Sequence, residues 1–377
     1  MASTQGRGRP SPKKGPQDPF GRDGEVEAAM DGCKRFLAGH GPRKADDLLG
    51  LIPADTKIDY YGNGGVVSDL EAEVAALLGK EAALFVPSGT MAQQATLRVH
   101  ADRLGKRSIA YHPACHLDSH EERGYEHLHG LSGVPVGGRL EPLSAAALAR
   151  IHNPVAALLV ELPQRDLGGT LPTWTELKAQ VAWARRSNAA VHLDGARLWE
   201  AAPFYKRPLS EIGALFDSVY VSFYKGLGGI AGCCVAGDAS LIDELSIWRI
   251  RHGGRLFGLW PYAAAAREAM HKRLPLMPKY YKHAVAIGKA LGDVPGIEVL
   301  PAKVQAPMMH VRLPVSLDQL RSRAIRIAKS EKVWTFARAF VTEGPSLQRV
   351  EFSVGDATLA ISPTEVAELI GRLAGVA

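Results

Sequence analysis

Cysteine is scarce, with four in 377 residues: Cys33, Cys115, Cys233 and Cys234, irregularly spaced and two of them adjacent. That pattern suggests neither a disulfide framework nor a four-cysteine zinc site, and reduced thiols suit a cytoplasmic compartment. No run of eighteen apolar residues occurs, so no membrane-spanning helix is expected, and the opening stretch lacks the apolar segment of a signal peptide. The expectation is a soluble cytoplasmic protein without a membrane partner. What is present is ample hydrophobic content, 46%, in a chain too long for one small core, which predicts two domains.

Acidic residues are nearly missing from the first 22 positions. Arg7, Arg9, Lys13, Lys14 and Arg22 stand there against Asp18 alone, so +4 of the net +6 sits in MASTQGRGRPSPKKGPQDPFGR. Residues 1–22 therefore read as a disordered basic tail. A nucleic-acid arm is the alternative, but the remaining body is near neutral and has no RNA- or DNA-binding signature, so no nucleic-acid partner is expected. Residues 23–59 read as an N-terminal helical segment: Glu25 to Leu51 carries apolar residues at helical spacing until Pro53 and Asp55 break it.

From residue 60 short apolar runs alternate with helical stretches. Ser68 followed by Glu71 predicts a capping box for a helix that buries Leu70, Val74, Leu77 and Leu78 and stops at Gly79. Ala82 to Val86 is then a buried strand, and Pro87-Ser88-Gly89-Thr90 turns it into a helix starting near Met91. A strand, a small-residue turn and a helix N-terminus form an anion site, although a simple N-cap explains the same residues. Ala156–Leu162, Ala189–Asp194, Ser218–Phe223 and Cys233–Ala236 continue as strands, with a helix over Thr175–Ser187. The pattern predicts an α/β fold: a large domain over 60–270, with a mostly parallel sheet flanked by helices, and a smaller C-terminal α+β domain over 271–377. In the latter, strands are expected at Met308–Arg312, Thr335–Val341 and Arg349–Val354. A last helix from Ser362-Pro363 should bury Val366, Leu369, Ile370 and Leu373.

In such sheets ligands gather at the carboxyl ends of strands. Asp194 ends one predicted strand, and Lys225, 31 residues on, follows another and opens the turn KGLGG. Alone, Asp194 reads equally as a helix cap and Lys225 as a surface turn residue. Together they supply what pyridoxal 5′-phosphate (PLP) needs: an amine for its aldehyde and a carboxylate for its pyridinium nitrogen. The Ser88-Gly89-Thr90 turn then becomes a phosphate cup. His112, His116 and His120 recur every four residues and on a helix would share a face that could ligate a metal. Pro113 disrupts such a helix and no acidic or cysteine ligand completes the set, so no metal is expected.

YGNGGVVSDLEAEVAALLGKEAALFVPSGTMAQQ, HLDGARLWEA and the KGLGG at Lys225 resemble the phosphate-loop, aspartate and lysine blocks of the threonine aldolase and β-eliminating lyase family of PLP enzymes, of the aspartate-aminotransferase fold type. The resemblance runs from about Tyr60 to the C-terminus. It implies that Ser88, Gly89 and Thr90 hold the phosphate, that His116 stacks over the pyridine ring with Glu121 nearby, and that Asp194 pairs with the ring nitrogen. Lys225 would be the Schiff-base lysine, and Arg197 and Arg349 would bind the substrate carboxylate. Arg349 has a bland alternative as a surface strand residue. Arg255 would reach a phosphate, its own or a neighbouring subunit's, or else be a solvated arginine.

Three departures stand out. The family's N-terminal arginine-serine-aspartate-threonine block has no counterpart before Tyr60. Gln164 in ELPQRDLGG stands where a histidine is usual, and would donate to the phenolic oxygen of PLP; Tyr224 replaces the usual serine before the lysine. The resemblance implies a PLP-dependent lyase, an aldolase splitting a β-hydroxy-α-amino acid such as threonine or phenylserine into glycine and an aldehyde, assembled as a homodimer or homotetramer. β-Elimination or racemisation on the same scaffold is the alternative reaction, and a non-catalytic interaction protein the alternative class.

Overall fold

The computed structural model describes residues 24–340 and 344–376; the basic tail and Val341 of the predicted strand at Thr335–Val341 lie outside the described residues. A seven-stranded sheet forms the centre. Its strands are β1 (Ala82–Val86), β2 (Ser108–Tyr111), β3 (Ser132–Pro135), β4 (Ala157–Glu161), β5 (Ala190–Gly195), β6 (Ser218–Ser222) and β7 (Cys233–Gly237). Their spatial order is β1-β7-β6-β5-β4-β2-β3. β2 to β6 run parallel, and β7 lies antiparallel between β6 and β1.

The inner strands are largely apolar because helices cover both faces. All six residues of β5 are buried. Along β1 the faces alternate: Leu84 and Val86 pack on Ala92, Ala95 and Val99 of α3 (Gly89–Leu104). Ala83 and Phe85 point the other way, into the core shared with Val66, Leu70, Val74 and Leu78 of α2 (Gly65–Leu78). α4 (Trp174–Arg186), α5 (Leu198–Tyr205), α6 (Ala239–Arg251) and α7 (Trp260–Arg273) complete the layers, followed by α8 (Met277–Gly292).

The expected capping box at Ser68 and Glu71 is not formed. The YGNGG turn closes on itself through paired bonds between the Tyr60 and Asn63 backbones, 3.1 and 3.2 Å, and α2 begins at Gly65, four residues earlier than a cap at Ser68 would allow. Gly65 must be glycine: its φ is +57°, and a Cβ would run into the carbonyls of Lys57 and Ile58. Ser68 Oγ accepts the Gly64 N–H at 3.1 Å instead, and Glu71 Oε1 accepts the Phe85 N–H of β1 at 2.7 Å.

A second sheet holds β8 (Glu298–Leu300), β9 (Met308–Leu313), β10 (Arg338–Ala339) and β11 (Gln348–Val354), in the order β8-β9-β11-β10. Its helices are α9 (Leu317–Glu331) and α10 (Pro363–Ala374), the latter capped by Ser362 and burying Val366, Leu369, Ile370 and Leu373. The expected strand at Thr335–Val341 is represented by β10 alone, with a further two-residue strand, Val333–Trp334, just before that stretch. The segment 23–59 is only partly helical. After α1 (Gly24–Asp31), Arg35–Phe36 pairs with Val333–Trp334 and Ala38–Gly39 runs parallel to Ser353–Val354 of β11. The N-terminal segment thus joins the C-terminal sheet, a pairing too distant along the chain for periodicity to reveal.

Candidate active site

The register of the large sheet brings its functional ends together. Asp194 of β5 lies opposite Glu161 of β4 and Tyr220 of β6, while Val86 at the end of β1 lies opposite Cys233, itself opposite Ser222. The turn after β1, the end of β5 and the loop after β6 therefore open on one edge. Ser88, Gly89, Thr90, His116, Asp194 and Lys225 line a single cavity of about 260 Å³ there, together with Gln93, Glu121, Tyr220 and Tyr224.

Each wall has a local cause. Ser88 is the extended residue before α3, and its side chain makes no cap bond, so the first N–H groups of a 16-residue helix face the cavity. Gly89 leaves room for Tyr220, because a Cβ there would strike the Tyr220 hydroxyl. His116 starts a short helix after β2; its Nδ1 lies 3.0 Å from Glu121 Oε1, and Gln94 Nε2 donates to Glu121 Oε2 at 3.0 Å. The ring is clamped from behind, with one side toward the cavity.

The electrostatics are unbalanced. Burial lowers the pKa of Lys225, and Asp194 opposes that only in part. Glu161, buried behind Asp194, is pushed up to about 8 by burial and by the Asp194 charge, although the Arg165 N–H donates to it at 3.1 Å. Burial pulls His116 down, but the Glu121 hydrogen bond and Asp194 outweigh it and raise its pKa. A lysine with reduced proton affinity beside two carboxylates at the end of a sheet is a nucleophile held ready for an electrophilic partner.

These residues fit PLP. The N-terminus of α3 suits its phosphate, Lys225 its aldehyde carbon, Asp194 its ring nitrogen and the His116 ring its flat face. One atom asks for a ligand directly: Gln93 Nε2 is buried and has no hydrogen-bond partner, in a residue that lines the cavity.

Four expected site residues stand elsewhere. Gln164 is buried but turned away from the cavity: its Nε2 bonds to His112 Nδ1, a partner made available by the loop after β2. It lines a small pocket behind Glu161 instead, so the expected bond to the phenolic oxygen has no support in the structure. Arg255 is exposed, its guanidinium 5.3 Å above the Tyr61 ring. Arg197 lines a second, adjoining cleft of about 520 Å³ that shares Tyr224 and Lys225 with the first; Glu200 holds its Nη1 at 3.1 and 3.3 Å. Arg349 is not part of the 260 Å³ cavity; it donates to the Asp166 carbonyl at 3.4 Å and lies 4.4 Å over the Phe340 ring.

Sequence reasoning passed over Glu161, Gln93, His40 and Arg43. Glu161 carried the same signal as Asp194, a carboxylate ending an apolar strand. Gln93 carried a weaker one, a polar residue one turn into a helix otherwise buried. His40 and Arg43 line the larger cleft from the N-terminal segment, which no local pattern connects to the site.

A family model described as beta-eliminating lyase matches residues 53–314. Low-specificity L-threonine aldolase 1 of Arabidopsis thaliana is 30% identical over 273 residues, covering 69% of this chain and 75% of its own. Alanine racemase TOXG of Cochliobolus carbonum is 30% identical over 234 residues, 58% of this chain and 57% of its own. A Listeria monocytogenes crystal structure provisionally assigned as an L-allo-threonine aldolase superposes with a TM-score of 0.87 at 37% identity, over 93% of this chain and 98% of that one. With a lysine, an aspartate and a helix N-terminus converging on one cavity of this fold, the chain belongs to the beta-eliminating lyase family of PLP-dependent enzymes.

Proposed function

We propose that this lyase splits β-hydroxy-α-amino acids, threonine and phenylserine among them, into glycine and an aldehyde. The observation that carries the reading is the convergence of Ser88, Gly89, Thr90, His116, Asp194 and Lys225 on one cavity, in a chain whose relatives include threonine aldolases. Bound PLP supplies the electron sink that lets the Cα–Cβ bond break. Asp194 keeps a proton on the ring nitrogen, and the lowered proton affinity of Lys225 leaves its amine available as a nucleophile nearer neutral pH. Arg197, fixed by Glu200 in the adjoining cleft that also reaches Lys225, offers a guanidinium for the substrate carboxylate, and Arg349 is its proposed partner. Positioning of this kind would hold the substrate carboxylate so that the bond to be broken is oriented for cleavage.

The cleft of about 520 Å³ beside Lys225 has room for a side chain larger than a methyl group, so phenylserine should be turned over at least as efficiently as threonine. Racemisation is the second reading, favoured by the similarity to an alanine racemase. Incubating holoenzyme with phenylserine, threonine, serine and alanine separates the reactions. Glycine plus aldehyde supports the aldolase reading, pyruvate without glycine moves it to β-elimination, and D-alanine alone moves it to racemisation. The working form is a homodimer or homotetramer with Arg255 near a subunit boundary; a fully active monomer by light scattering would refute that. The cytoplasm suits its four free cysteines, and fractionation of the native host tests the location.

A further inference from the structure

Behind the cavity four buried side chains form a continuous hydrogen-bonded line. His100 Nε2 of α3 lies 2.7 Å from Ser218 Oγ at the start of β6. The same oxygen lies 2.7 Å from His192 Nδ1 in β5, and His192 Nε2 lies 2.5 Å from Gln93 Oε1 in α3. None of the four is more than 3% exposed. The line ends at the cavity, where Gln93 Nε2 has no partner.

Such a line has a direction. Burial drives His192 down to about 3 and His100 to about 4, so both rings are neutral and each carries one N–H. Two assignments satisfy the interior. In one, His100 donates to Ser218, Ser218 to His192, and His192 to the amide oxygen of Gln93, which turns the amide NH₂ into the cavity. In the other every bond is reversed, and the amide oxygen faces the cavity. The Asp194 carboxylate lies on that side, and a phosphate-bearing cofactor brings more negative charge. An amide oxygen there would meet like charge, whereas an NH₂ would meet acceptors. The first direction, the one with Gln93 Oε1 on His192, is therefore preferred.

The geometry points to Gln93 as a cofactor-binding residue whose Nε2 donates to an anionic oxygen of bound PLP, with His192, Ser218 and His100 as positioning residues that lock the amide in its donating orientation. This rests on the PLP reading of the cavity and adds to it a donor from inside α3, one turn beyond the Ser88-Gly89-Thr90 cup. It also explains why a residue pair as polar as His100 and Ser218 is buried behind the sheet with no route to substrate: their bonds hold the next link, and the last link holds the ligand.

The test is cofactor affinity, read by absorbance while apoprotein is titrated with PLP and, separately, with pyridoxal. Gln93→Glu keeps an oxygen for His192 but places an acceptor where the donor stood; Gln93→Met removes both. Each should weaken PLP binding about tenfold or more, the loss expected when a charge-assisted bond from a buried donor is removed. If the partner is the phosphate, the loss disappears with pyridoxal; if it is a ring oxygen, the loss persists. Ser218→Ala, two bonds from the cavity, should weaken binding by a smaller factor, and Ser218→Thr, which retains the hydroxyl, should restore it. Wild-type affinity in both Gln93 variants overturns the proposal, and wild-type affinity in Ser218→Ala overturns the positioning role. A wild-type apoprotein that takes up no PLP would bring down the cofactor reading itself and this proposal with it.

Discussion

Two buried ionic clusters lie within one fold, and their charges are in opposite condition. At the cavity Lys225 is lowered, and Glu161, paired with Asp194 from the pocket behind it, is pushed up to about 8, both chiefly by burial that their neighbours fail to offset. At the seam between the two sheets, Arg165 from the loop after β4 grips Glu351 of β11 with Nε–Oε2 at 2.8 Å and Nη2–Oε1 at 3.2 Å. Burial would raise Glu351 too, but His310, Arg165 and Arg197 outweigh it and hold the carboxyl well below the usual range. The seam is a closed account of charge that ties residues 186 positions apart. The cavity lacks partners that a phosphate, an aldehyde and a ring nitrogen would supply. A binding site shows itself as unmet electrostatics, and a structural lock as met electrostatics, at comparable burial.

That contrast is breakable. The largest effect is expected at the cavity: Lys225→Ala should lose turnover by roughly three orders of magnitude or more, with no cofactor fixed by borohydride, because no other amine among the described residues lines the 260 Å³ cavity. Retention of turnover would mean that the unmet charge there is not catalytic. At the seam, Glu351→Ala should cost about 2 to 4 kcal/mol of stability by leaving the half-buried Arg165 without its carboxylate, below the full range for a buried pair because Arg165 keeps some water contact, measured by denaturant unfolding. Its folded pKa is depressed, so its contribution is present above the ordinary carboxylate value near 4.5 and is lost as pH falls toward the folded one. An unfolding midpoint unchanged by Glu351→Ala would show that the seam is no lock.

Arg349 tests the boundary between the two. It sits in β11 two residues before Glu351 and is proposed to serve substrate. Arg349→Ala should remove roughly 2 to 4 kcal/mol of transition-state stabilisation, seen in kcat/KM for a β-hydroxy amino acid. A loss confined to stability would assign it to the seam. The smallest effect is the pH response of the apoprotein. Because the folded pKa of Glu161 is raised from 4.5 to about 8, the folded state holds an extra proton in that window and stability should fall as pH rises through it. Glu161→Gln, which imitates the protonated acid, should flatten that slope in thermal melts recorded from pH 5 to 8; an unchanged slope would place its origin elsewhere.

Local pattern served where one element explains itself. Ala82–Val86 is the strand that its five apolar residues predict, and Ser362 caps the last helix as Ser-Pro-x-Glu suggests. It failed where exposure dilutes the signal. β3, SGVP at the sheet edge, has no buried residue, and the adjoining β2 offers only four positions, so neither stood out from a loop. Gln164 turns from the cavity because a side chain's direction from a loop depends on which partner lies within reach, here His112.

The sequence by itself determined strands β1 and β4 to β7, the last helix, the turn before α3, and the presence of one carboxylate and one lysine at strand ends. Those follow from apolar runs, glycines and spacing, which act within a few residues. Only the tertiary structure decided that Ala38–Gly39 closes the far sheet, that Arg165 belongs with Glu351, and that Gln93 faces a cavity at the end of a line from His100. Each of these depends on residues far apart in the chain meeting at low dielectric, where the worth of a polar group is set by the partner it finds and not by its own propensity.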